Sequence, residues 1–161
     1  MIVVVIMGVV YSLSVNSFSK LKEENKKVTL LNLKEHLLAL ANHKEAELLC
    51  LDDCSLCTIY VGKKKVQELE DFLDSSVELY RYEFNFGFTK IEPRVYFDKD
   101  DIEKDVCFSY RVDKQGVGDQ VLVAYKDKYY DFTPYFETTQ VYSSLSDAQS
   151  AKENKAQELT Q

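Results

Sequence analysis

The first eighteen residues, Met1 to Phe18, carry no charge and include ten Ile, Val, Leu or Phe side chains. No other stretch constrains the chain as tightly. An uncharged run of this length stands at the threshold for crossing a bilayer as a helix. Its apolar residues together favour insertion by roughly 3 to 6 kcal/mol, with Ser12, Ser14, Asn16 and Ser17 working against part of that. So many β-branched residues disfavour a helix in water, but in lipid every backbone polar group must be bonded internally, which selects one. A secretory signal peptide needs a basic residue before the apolar core and a small-x-small cleavage site after it. Nothing basic precedes Ile2, and Ser12-Leu13-Ser14 is a weak cleavage signal. A water-soluble core helix is disfavoured too, because the apolarity runs all round and forms no stripe. The reading is a retained transmembrane segment over 1–18.

The run Met1-Ile2-Val3-Val4-Val5-Ile6-Met7-Gly8-Val9-Val10 resembles the N-terminal helix of type IV pilins and type II secretion pseudopilins. Met1 falls on that family's methionine and Gly8 on its recurrent glycine, with the aliphatic residues between them in register. The family's basic leader, cleavage-site glycine, first aromatic residue and nearby acidic residue have no counterpart in this numbering. Two readings are open, an internal methionine of a longer reading frame or a degenerate paralogue that cannot be processed; the undecayed helix pattern favours the first. The resemblance implies a structural subunit of a type II secretion, type IV pilus or DNA-uptake apparatus, not an enzyme. It implies a single-pass inner-membrane placement with the C-terminal head in the periplasm. Partners would be other pilins or pseudopilins, inner-membrane assembly proteins and membrane lipid. Helix packing would involve Ile2, Val5, Ile6, Gly8 and Val9, where a small residue allows close approach. Minor pseudopilins of the H-like type carry a β-sandwich head on such a helix.

Residues 2 to about 43 read as one long helix, with a soft point near Asn25. Its amphipathic half, 19–43, has a stripe of Leu30, Leu33, Leu37, Leu40 and Ala41, with Asn32, Lys34 and Glu35 on other faces. At 1.5 Å per residue such a helix is on the order of 60 Å long. After His43 the period changes. Short strand-like runs over Glu47–Leu51 and Cys57–Val61 flank a turn at Asp52–Leu56. Val66, Leu69, Phe72 and Leu73 share a helical face. From Val77 to Phe86, Tyr80, Tyr82, Phe84 and Phe86 alternate with Leu79, Arg81, Glu83 and Asn85, predicting a strand. Further strands are predicted at Arg94–Phe97, Val106–Val112, Gln120–Tyr125 and Lys128–Phe132, with a turn at Gln115–Asp119. The fold expected is α+β: a long N-terminal helix packed on an antiparallel sheet or sandwich head over 44–142. The tail, 143–161, lacks an apolar stripe and reads as a frayed helix or disorder.

With 161 residues, roughly 140 lie beyond the leading segment, enough for one modest domain. The net charge of −7 argues against nucleic-acid binding by the head, which requires a basic face.

Cys50, Cys54, Cys57 and Cys107 admit several chemistries. The first three match the spacing of a radical-SAM iron–sulfur site, but that chemistry needs a large barrel and reducing surroundings. A thiolate zinc site lacks its second Cys-x2-Cys pair. Cys54-Ser55-Leu56-Cys57 in a thioredoxin-like role requires a βαβ context, and here it falls in a hairpin turn. An anchored thiol-disulfide or metal-binding protein is the alternative reading these residues offer. Structural disulfides are the default in an oxidising compartment, and four cysteines allow three pairings. Cys54–Cys57 closes a very tight loop; Cys50–Cys57 staples the hairpin and leaves Cys54 for Cys107.

The run Asp98-Lys99-Asp100-Asp101-Ile102-Glu103-Lys104-Asp105 clusters carboxylates but lacks the glycine and ligand spacing of a calcium loop. Lys63-Lys64-Lys65 is short and surrounded by acid. His36 sits among leucines, and His43, at the helix end, favours the C-terminal dipole when charged. Neither has a Ser or Cys at catalytic spacing, so no catalytic residue, cofactor or metal ligand is assigned.

Overall fold

The computed structural model describes residues 27–97, 101–135 and 137–158. Thr29 is extended (φ −138°, ψ 164°), and its amide donates to Asn32 Oδ1 at 2.8 Å. That bond satisfies one of the orphan donors at a helix start, so the helical path begins here. A 3-10 turn, Leu30–Asn32, runs directly into α1, Leu33–Ala41. Asn42 (φ 42°) and His43 (φ 64°) then turn left-handed, and the Lys44 amide donates to the Ala41 carbonyl at 2.9 Å, closing the helix.

The expected α+β class with one long N-terminal helix is therefore corrected. The described residues are mostly β, with two short helices, and no long N-terminal helix occurs among them. Residues 1–18, and 19–26 of the expected amphipathic half, lie outside the described residues. Among the described residues no helix is long and apolar enough to cross a membrane. The nine residues of α1 rise about 14 Å, half of a hydrocarbon core. The single-pass inner-membrane placement with a periplasmic head is accordingly withdrawn.

Two five-stranded antiparallel sheets make up the body. The strands of the first are β1 (Ala46–Leu51), β2 (Leu56–Val61), β3 (Lys64–Glu70), β6 (Arg94–Phe97) and β7 (Glu103–Val112), ordered β3-β2-β1-β7-β6. The second contains β4 (Glu78–Glu83), β5 (Gly87–Lys90), β8 (Leu122–Tyr125), β9 (Lys128–Asp131) and β10 (Gln140–Tyr142), ordered β10-β9-β8-β4-β5. Register sets Leu48 opposite Ile59 and Tyr110, and Cys50 opposite Cys57 and Phe108. Alternation then places Ala46, Leu48 and Cys50 on one face. Leu33, Leu37 and Ala41 of α1 cover that face, and Val121, Val123 and Phe132 close it from the second sheet, all buried. The Tyr110 and Phe132 rings meet at 4.6 Å between centroids.

Lys34 is buried, contrary to the polar face the stripe gave it. Its ammonium donates to the carbonyls of Pro134 (2.5 Å), Tyr135 (3.0 Å) and Glu137 (3.2 Å), tying α1 to the β9–β10 connection. Burial lowers its pKa below the ordinary 10.5. The segment read as a helix from Val66 is β3. Three-residue spacing suits a helix in isolation, but pairing with β2 (Cys57 with Leu69, Thr58 with Glu68) overrides it. Lys64, Lys65, Glu68 and Glu70 leave β3 a charged, non-sticky edge. The strand predicted through Phe86 ends at Glu83. Phe84-Asn85-Phe86 turn the chain, the Phe86 amide donating to the Glu83 carbonyl at 3.1 Å, and β5 returns beside β4.

Leu79 of β4 packs on the central core, so Tyr80 and Tyr82 point to the other face of the second sheet. Buried Leu122 and Asp131 share that face by register. It is covered by α2, Leu145–Glu158, whose Lys152 reaches Asp131 at 3.7 Å and also donates to Thr133 Oγ1. Ser144 Oγ accepts from the Asp147 amide at 3.1 Å and starts this helix. Thus residues 145–158 of the expected frayed tail dock through polar ties and one small buried side chain, Ala148.

Candidate functional site

All four cysteines meet at one end of the first sheet. Cys50 and Cys57 face each other across β1 and β2 with Cα atoms 4.1 Å apart, and they form a disulfide. The register shifts between Cys50 and Leu51, where Phe108 and Val106 are their respective partners. Cys107 is the extra residue of this bulge. A bulge re-aims the side chain it leaves unpaired. Here it delivers Cys107 to Cys54, which sits in the β1–β2 turn with φ 66°, and the second disulfide spans 53 residues with Cα atoms 5.6 Å apart. No described cysteine is free.

With Cys54 and Cys57 in different disulfides, this Cys-x2-Cys is not a redox pair. Cys50, Cys54 and Cys57 are fully buried, which shields their sulfurs from attacking thiols. Thiolates for zinc or an iron–sulfur cluster are consumed in the same bonds. Of the acidic run, Asp98 to Asp100 lie outside the described residues, and Lys104 pairs with Asp52 at 3.1 Å. Among the described residues no group of three or more His, Cys, Asp or Glu is arranged to hold a metal ion. His36 shares a hydrogen bond with Gln67 at 3.0 Å, joining α1 to β3. His43 occupies the left-handed turn after α1. The packing candidates Ile2, Val5, Ile6, Gly8 and Val9 lie outside the described residues.

Sequence reasoning passed over a cleft of about 620 Å³, which Cys107 also lines. One wall is β7 with the start of β6; the other is β4 with the end of β5; Ser75–Val77 and Asp119–Val121 close it. Glu78 and Lys90, at its border, pair at 2.7 Å, and Tyr80 donates to Glu78 at 2.6 Å. Those bonds hold the Glu78 carboxyl below its ordinary value and push the Tyr80 hydroxyl up to about 12. Half-buried Glu47 shows the reverse: desolvation raises its pKa, and nearby Arg111 offsets part of the rise. Asp119 accepts from the Arg111 amide at 2.9 Å, fixing the connection where β7 leads towards β8. The cleft is thus polar, charged in both senses, and open at the surface.

Neither a protein-family model, a curated protein nor a solved structure matches the chain.

Proposed function

We propose that the chain is a non-catalytic structural subunit of a pilin-like assembly, of the kind that serves type II secretion, type IV pili or DNA uptake. The apolar leading residues supply the contact to sister subunits, and the β-rich body is displayed from them. The observation that carries this reading is the motif Met1-Ile2-Val3-Val4-Val5-Ile6-Met7-Gly8, with methionine, aliphatic run and glycine in the family's register. Two lines of physical reasoning support it. A body locked by two disulfides suits a part displayed in oxidising surroundings, where such bonds persist. The buried sulfurs disfavour the rival thiol-exchange role.

In-cell cross-linking followed by mass spectrometry tests the proposal. The native chain is expected to recover pilin-like proteins, and Gly8→Leu to lose most of them while thermal unfolding of the body stays unchanged. Recovery of no pilin-like protein with the native chain, or full recovery with Gly8→Leu, overturns it.

A further inference from the structure

The chain contains three arginines against seventeen lysines. All three, Arg81 on β4, Arg94 on β6 and Arg111 on β7, line this one cleft. They come from both sheets and from three separate parts of the sequence, so local sequence bias does not explain the gathering. Lysines supply the generic surface charge elsewhere. The lysine that lines the cleft, Lys90, is already tied to Glu78 at 2.7 Å. Among the described residues the guanidinium groups of Arg81 and Arg94 have no hydrogen bond or ion pair, and both side chains are exposed. Arg111 has the Glu47 carboxylate as its electrostatic neighbour. A guanidinium offers a planar fork of donors that matches a carboxylate or phosphate in two parallel hydrogen bonds, which an ammonium does not.

We infer that this cleft binds an extended acidic segment of a partner polypeptide, its carboxylates received by Arg81, Arg94 and Arg111. The volume of about 620 Å³ falls within the range of formed ligand sites. Charge selects the ligand class. Glu47, Glu92 and Asp119 also line the cleft, so the arginines are balanced by fixed carboxylates within a chain of net charge −7. A dense polyanion such as a nucleic-acid backbone meets repulsion there. Single carboxylates spaced along a peptide meet one guanidinium each. The backbone geometry favours an extended ligand: β5 and β6 are both sheet edges, joined by Ile91-Glu92-Pro93, and they border the cleft. Edge strands present unpaired amides and carbonyls to which an added strand pairs. All four residues of β6 are exposed, including Val95 and Phe97, which supply apolar contact beside the charges. The inference is independent of the assembly proposed above.

Fluorescence anisotropy with the full chain and a labelled six-residue peptide alternating glutamate and threonine tests it, at low salt. Saturable binding is expected, weakened at least about tenfold in the doubly substituted Arg81→Gln, Arg94→Gln chain by loss of charge-assisted bonds. The glutamine analogue of the peptide should not bind, and inorganic phosphate should not displace it. A Lys126→Gln, Lys128→Gln chain, with the same change in net charge away from the cleft, should bind as the native chain does. Absence of saturation up to millimolar peptide, equal binding of the glutamine analogue, displacement by phosphate, or equal weakening by the lysine control would each overturn the inference.

Discussion

The two flanks of the sheet pair differ in how much of their backbone and side-chain chemistry is used up. On the flank of α1, β1, β2 and the last half of β7, Leu33, Leu37, Leu48, Ile59 and Phe108 are fully buried, and one disulfide crosses the β1–β2 hairpin while the other ties its turn to β7. Lys34 adds three hydrogen bonds to the β9–β10 connection. On the flank of β5 and β6, all four residues of β6 are exposed; Val95 keeps 52% and Phe97 57% of its surface open. Among the described residues the guanidinium groups of Arg81 and Arg94 have no hydrogen bond or ion pair, and both sheets end there. Binding groups must remain unsatisfied within the molecule in order to be offered to another, and stability must come from elsewhere. The closed flank therefore carries the stability, and the open flank carries the capacity to interact.

The largest expected effect breaks the closed flank. Replacing Cys54 and Cys107 by serine frees a loop of 53 residues, and chain entropy gives a loss of about 4 kcal/mol. Replacing Cys50 and Cys57 frees a separation of seven and should cost about 2 kcal/mol. Urea unfolding of the two double variants measures both. Equal losses would mean that the long-range link contributes no more than the hairpin staple.

A smaller effect of opposite sign sharpens the same contrast. The Tyr110 hydroxyl is buried without a hydrogen-bond partner among the described residues, and it presses against Gly118, where any Cβ would collide with it. Burial raises its pKa, so it stays protonated. Tyr110→Phe removes an unsatisfied polar group and should stabilise by about 1 kcal/mol in the same unfolding experiment. Destabilisation instead would show that the hydroxyl is paired.

The smallest effect lies in the cleft and depends on pH. The folded-state pKa of Glu47 is raised above 4.5 by desolvation. Between the unfolded and folded values the folded chain binds more protons, so this group's contribution to stability falls as pH rises through that window. Its charge is a cost at neutral pH. Glu47→Gln should therefore raise the melting temperature at pH 7, with the difference shrinking as pH drops below 4.5, the ordinary value. Scans at pH 7 and pH 4 would show a constant gap if the carboxylate were not desolvated.

How much of this was legible in the sequence varies by element. The strand Arg94–Phe97 falls where the sequence predicted it, and the hairpin around Asp52–Ser55 follows from two apolar runs separated by turn residues. Periodicity failed where long-range pairing competed with it. Val66 and Leu69 have helical spacing, yet β2 recruits them as an edge strand. The helix stripe from Leu30 was legible, but its start was not, because that depends on Asn32 folding back to the Thr29 amide. The tail read as a frayed helix or disorder, and its docking was not legible because Lys152, Lys155 and Ala148 hold it without an apolar stripe. Arg81, Arg94 and Arg111 carried one compositional signal, their rarity among many lysines, and no spacing that would join them.

By itself the sequence determined the local terms: an uncharged leading segment, alternating strands, turns with left-handed demands, and four cysteines able to pair in three ways. Tertiary structure alone decided which cysteines join, because a one-residue bulge at Cys107 sets that pairing. It also decided where three scattered arginines meet, because strand order places β4, β6 and β7 around one cleft. Local propensity acts over a few residues. Proximity between distant residues is created by sheet register, and register is fixed by burial of the whole core at once.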